Sequence, residues 1–162
     1  MFKQPDKASK TYTPAEALPK IAAYCAYQER TQKEVADKLR GYGLDEDEAG
    51  EIIIRLSREK LLDEERYAQS YARGKHRANG WGRRRIRMEM KGKGLSDYCI
   101  KSGLKELDGD EYYDKLKQLL SQRDAREKET HPQKRRLKLM AYLTQKGYES
   151  DLIQEALNEL AG

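Results

Sequence analysis

At 162 residues, with 37% hydrophobic and 38% charged residues, the chain is poor in apolar surface and rich in charge. That balance argues against one large spherical core and for slender, exposed helical architecture. A formal net charge of +5 and a pI near 9.1 point towards polyanionic partners, either nucleic acid or an acidic protein surface. Two cysteines, Cys25 and Cys99, exclude a disulfide framework and a zinc site at ligand spacing. No run approaches the roughly 20 apolar residues that span a bilayer, and the opening MFKQPDKASKTYT has no apolar signal core. A cytoplasmic, membrane-free protein is expected.

Residues 1–12 are polar and without period, and are expected to form a disordered tail. Thr13-Pro14-Ala15-Glu16 then opens a helix: Thr caps it, Pro suits the first helical position, and Glu16 completes a capping box. Pro19 removes another donor, so either the first turn kinks or the regular helix begins there. Thr31 with Glu34 is a second capping box, opening a helix with Val35 and Leu39 on one face. Gly41-Tyr42-Gly43 stops it. Asp45 with Glu48 starts a third helix with Ala49, Ile52, Ile53 and Leu56 inside. The acids Glu46, Asp47 and Glu48 suit the positive end of its dipole.

The same pattern is written three times. Adding 51 takes Val35, Leu39, Gly43, Leu44, Ala49, Ile53 and Leu56 to Ile86, Met90, Gly94, Leu95, Ile100, Leu104 and Leu107. A further 53 reaches Leu139, Leu143, Gly147, Tyr148, Ile153, Leu157 and Leu160. The repeated glycine stands where a helix must end in a left-handed residue. The expected fold is all-α: an elongated array of three tandem three-helix repeats, over 13–61, 62–109 and 110–162. The first helix of each repeat is the least alike, spanning Pro14 to Gln28, Asp63 to Asn79 and Asp110 to about Thr130. The last of these becomes highly charged, so its end is expected to project into water.

Positive charge is densest in the middle of the chain. Between Arg73 and Lys93 stand nine Lys or Arg residues (Arg73, Lys75, Arg77, Arg83, Arg84, Arg85, Arg87, Lys91 and Lys93) and one acid, Glu89. On a helix over Gly82 to Lys93, Ile86 and Met90 define the buried side, and Arg84, Arg87 and Lys91 lie opposite. On the preceding helix Tyr67, Tyr71 and Ala78 mark the inner face, while Arg66, Arg73 and Arg77 line up at i, i+7, i+11. Solvated faces usually mix signs, so the scarcity of acids favours a binding surface for phosphates or carboxylates. Trp81 could stack on a base or anchor a partner, or pack between helices. His76 and His131 read as surface or capping residues.

Catalysis finds no support: GxSxG, HExxH and a Gly-rich phosphate loop are all missing, and no strand precedes the glycines Gly80, Gly82, Gly92 and Gly94. A non-enzyme without cofactor or metal is expected.

The block Leu61-Leu62-Asp63-Glu64-Glu65-Arg66-Tyr67-Ala68, Tyr71-Ala72-Arg73, Gly80-Trp81-Gly82-Arg83-Arg84-Arg85-Ile86 and Met90-Lys91-Gly92-Lys93-Gly94-Leu95 closely resembles the signature of the RecX family. The resemblance implies tandem three-helix repeats and a monomeric regulator that lies in the helical groove of the RecA recombinase filament. It further implies restraint of ATP hydrolysis and strand exchange in recombination, DNA repair and the SOS response. Single- or double-stranded DNA is a further implied partner. Arg83 departs from the family's usual proline, and Met90 from its leucine. The alternative is a stand-alone nucleic-acid binder without sequence preference: in a helix-turn-helix reading, the helix SDYCIKSGLKELD offers only Lys101 and Lys105 for base readout.

Overall fold

The computed structural model describes residues 11–162, and every regular element among them is an α-helix. In chain order these are α1 (Pro14–Tyr27), α2 (Gln32–Gly41), α3 (Glu46–Arg58), α4 (Glu64–Asn79), α5 (Arg83–Gly92), α6 (Asp97–Leu104), α7 (Gly109–Arg126), α8 (Pro132–Lys146) and α9 (Ser150–Ala161). They make three three-helix modules in tandem. No helix among the described residues is long and apolar enough to cross a membrane.

Local chemistry sets the helix starts. Thr13 with Glu16, Thr31 with Glu34 and Asp45 with Glu48 each form a complete capping box. Such a cap contributes about 1 kcal/mol. Helix α1 passes through Pro19 without restarting, because the carbonyl Pro19 cannot bond belongs to exposed Ala15, where water can reach it. His131 caps α8, its ring accepting from the Lys134 N–H at 3.4 Å.

The tail expected over residues 1–12 lies outside the described residues up to 10, and Tyr12 at its end is packed. The Tyr12 N–H donates to the Tyr42 carbonyl at 2.9 Å, and the two rings meet edge-on with centroids 5.3 Å apart. An aromatic partner 30 residues away leaves no local period to read.

The repeat is visible in the backbone. Gly43, Gly94 and Gly147 all adopt left-handed φ, at 85°, 80° and 104°. The repeated apolar positions are buried apart from Ile53 and Leu160. Ile53 is only partly covered and Ile52 before it is buried, whereas in the other two modules both places are buried, Gly103 with Leu104 and Ala156 with Leu157. Leu160 is 45% exposed.

The end of α7 differs from expectation. It stops at Arg126, and the stretch after it is held rather than projecting into water. Arg135 on α8 donates to the Asp124 carboxylate and to the carbonyls of Asp124, Glu127 and Glu129. A guanidinium can gather several acceptors that a helix C-terminus leaves unpaired.

The helices gather into two compact units, one ending at Tyr67 and one covering Ala68–Gly162. The first is built on Ala17, Ile21, Cys25, Val35, Leu39, Ala49, Ile52, Leu56 and Leu62. The second holds the charged middle of the chain.

Candidate binding surface

What positions the central helix α5 is a joint within the second unit. The Gly82 N–H donates to the Lys146 carbonyl at 2.8 Å and the Arg84 N–H to the Gly147 carbonyl at 2.9 Å. A Cβ added at Gly82 would sit 2.4 Å from the Gly147 carbonyl carbon, so only glycine allows the two backbones to touch. The start of α5 is thereby pinned to the end of α8 by main-chain bonds.

Aromatic side chains fill the joint. Tyr148 is buried and donates its hydroxyl to the Gly80 carbonyl at 3.0 Å. Tyr112 packs against Tyr148 with centroids 5.1 Å apart, accepts from the Arg83 N–H at 3.0 Å and donates to the Glu149 carboxylate. Burial and the Glu149 charge push both phenols well above the usual tyrosine range. His76 stacks on Tyr112 with centroids 5.2 Å apart. Its Nδ1 lies 2.9 Å from the Trp81 carbonyl, which can only accept, so Nδ1 carries the proton. Burial holds the His76 pKa below the ordinary histidine value, more than the bond to the Trp81 carbonyl raises it. The sequence reading of His76 as a surface or capping residue is therefore corrected: it is 8% exposed.

The predicted cations separate into three groups. Arg66, Arg73 and Arg83 are neutralised by the chain itself, through Glu29, Glu106 and Glu149 respectively. Arg66 also donates to the Lys60 carbonyl at 3.0 Å. Arg83 lies over the Tyr112 ring at 3.8 Å and donates to Glu149 at 2.7 Å, so it belongs to the joint. The continuous row expected along α4 is thus broken, with Arg77 its exposed remainder. Ala78, expected inside, is exposed, and Ala68, Ala72 and His76 form the buried side with Tyr67.

A second group clusters on two half-buried rings. Arg85 and Lys75 approach the Trp81 ring at 4.3 and 5.1 Å, while Lys75 and Lys93 approach Tyr71 at 5.6 and 5.4 Å. Arg85 also donates to the Gln145 carbonyl at 3.4 Å. Such contacts hold cations in place without neutralising them.

Arg84, Arg87 and Lys91 form the third group. All three are exposed, opposite buried Ile86 and Met90, and none has a carboxylate partner among the described residues. This outward row can grip phosphates or carboxylates. No cluster of three or more His, Cys, Asp or Glu among the described residues could hold a metal ion.

Two residues of this surface and its joint escape a reading of the sequence. Glu149 meets Arg83 from 66 positions away, beyond any periodic signal. Met88 stands on the exposed face of α5, where an apolar residue has no core to report.

Models of the RecX family match all three modules: the first three-helix domain over residues 20–56, the second over 63–104 and the third over 110–157. The regulatory protein RecX of Oceanobacillus iheyensis is 29% identical over 161 residues, or 99% of this chain. The chain spans 57% of that relative's length. The regulatory protein RecX of Mycobacterium sp. (strain KMS) is 32% identical over 149 residues, covering 86% of this chain and 81% of the relative. A crystal structure of RecX from Lactobacillus salivarius superposes with a TM-score of 0.84 at 28% identity, over 91% of this chain and 96% of that one.

Proposed function

The chain belongs to the RecX family of regulatory proteins, and from that membership and the charge on α5 we propose that it docks on the RecA–DNA filament. On this reading it lies in the filament's helical groove, in the cytoplasm, as a monomer without catalytic activity of its own. It restrains ATP hydrolysis and strand exchange in recombination and repair. The three repeats of this regulator run over 13–61, 62–109 and 110–162.

One observation carries the reading: Arg84, Arg87 and Lys91 point outward with no carboxylate among the described residues to neutralise them. Charged rows of this kind steer encounter and fix register on a polymer of opposite sign. The test is to reverse all three to Glu and assay RecA ATPase on single-stranded DNA. Inhibition should be lost while thermal unfolding is unchanged, since the three side chains touch solvent. Inhibition that survives the reversal places docking on another surface.

The ring cluster favours a second reading, sequence-nonspecific binding of nucleic acid. Trp81 and Tyr71, flanked by Lys75, Arg85 and Lys93, combine stacking faces with cations. Binding to bare DNA that is tight, salt-sensitive and indifferent to RecA would support it over filament docking.

A further inference from the structure

Met88 is 73% exposed, among the most exposed large apolar side chains of the described residues. A singly exposed apolar residue is ordinary, but its place here is not. At about 100° per residue Met88 lies about 180° from the midpoint of Ile86 and Met90, so it is the residue that stands furthest out. At that spacing Arg84, Lys91 and Arg87 form a row about 40°, 60° and 100° to one side of it, and Gly92, Arg85 and the acid Glu89 lie to the other. Gly92, one turn further on, would meet nothing within 4 Å if it carried a Cβ, so the space beside Met88 is open.

The corresponding faces of the other modules are built differently. On α2 the matching positions are Lys33, Ala36, Asp37 and Arg40, and Asp37 pairs with Arg40 at 3.1 Å. On α8 they are Leu137, Met140, Ala141 and Thr144, without a charge. Among these three helices, the middle module alone sets a flexible thioether beside a row of cations without carboxylate partners among the described residues.

We infer that the outward face of α5 fits a protein surface in which an apolar pocket is bordered on one side by carboxylates, with Met88 as the side chain that enters the pocket. This deepens the docking reading and rests on it. A run of phosphates would be met better by a fourth cation or a hydrogen-bond donor at position 88, since a thioether against hydrated phosphate gains nothing. A protein pocket gains from burying it, and Met adapts to irregular cavities. Met and Arg together, with an apolar centre inside a polar rim, are the composition of a protein–protein contact. The three cations supply the complement to carboxylates on the rim.

The test compares Met88→Lys and Met88→Leu with the unaltered protein. Each is titrated against RecA filaments assembled on labelled oligo(dT) and against the bare oligo(dT). All three proteins should melt alike, because position 88 touches solvent. Met88→Leu should bind filaments as the unaltered protein does. Met88→Lys should bind filaments about fivefold or more weakly, the loss expected of a central contact residue, and bare oligonucleotide more tightly. Met88→Lys binding filaments as well as or better than the unaltered protein would overturn the inference and leave filament docking standing. Failure of the unaltered protein to bind filaments would overturn both.

Discussion

Gly82 and Gly147 lie in backbone contact, so that a Cβ on either would fall 2.4 Å from an atom of the opposing segment. The first residue before α5 and the last turn of α8 are thereby joined without side chains. Neighbouring modules of a repeat array are expected to share a core; here they also share main-chain hydrogen bonds.

Gly82→Ala should destabilise the second unit by about 1–3 kcal/mol, the usual cost of overpacking, and Gly147→Ala by at least as much because its φ is 104°. Gly92→Ala is the control: it sits in the last turn of α5 with open space around it. It should be neutral or stabilising by up to about 1 kcal/mol. Urea unfolding of the three variants gives the comparison.

The pair Arg83–Glu149 should couple strongly in a double-mutant cycle. Both side chains are less than a third exposed, and Glu149 also accepts the Tyr112 hydroxyl. A coupling of about 1–3 kcal/mol is expected for such a network, against about 0–1 kcal/mol for the more exposed Arg73–Glu106 pair. Equal couplings would mean that the joint gains nothing from its burial.

His76 makes stability depend on pH. Its pKa is lowered in the folded protein, chiefly by burial, so between the folded value and the ordinary one near 6.5 the unfolded chain binds the extra proton. Stability from this group is therefore full above about pH 6.5 and declines as pH falls through the folded pKa. Of the groups that face it, Lys115 and Arg83 lower its pKa further and Glu111 raises it. The melting temperature should fall between pH 7 and 5, and the slope should flatten in His76→Gln. An unchanged slope would mean that the imidazole takes up its proton alike in the folded and unfolded chain.

Much of the fold could be read from the chain because its cues are local. Three capping boxes and the glycines Gly43, Gly94 and Gly147 fix helix ends within a few residues of their own sequence. The seven-position repeat then follows from periodicity. What could not be read is long-range: Glu29, Glu106 and Glu149 each come from another part of the chain to neutralise Arg66, Arg73 and Arg83. A helical wheel shows where a cation points, and it is blind to the carboxylate waiting there. The burial of His76 is hidden from the sequence for a related reason. Its burial depends on Tyr112, 36 positions further along, whose ring lies 5.2 Å away.

Trp81 is the only tryptophan, so its fluorescence reports on the ring cluster alone. If bases stack on it, oligo(dT) at low salt should quench the emission, and Lys75→Ala with Arg85→Ala should weaken binding. Stacking on one aromatic is worth about 1–3 kcal/mol per base. Emission that ignores the oligonucleotide would assign the ring to packing beneath Arg85 and Lys75.

The most direct measurement is a reconstruction, by electron microscopy, of the protein bound to a RecA filament at side-chain resolution. Docking through α5 predicts RecA carboxylates within about 4 Å of Arg84, Arg87 and Lys91, the range of an ion pair, with Met88 covered. A bound protein whose α5 face looks into solvent would contradict it.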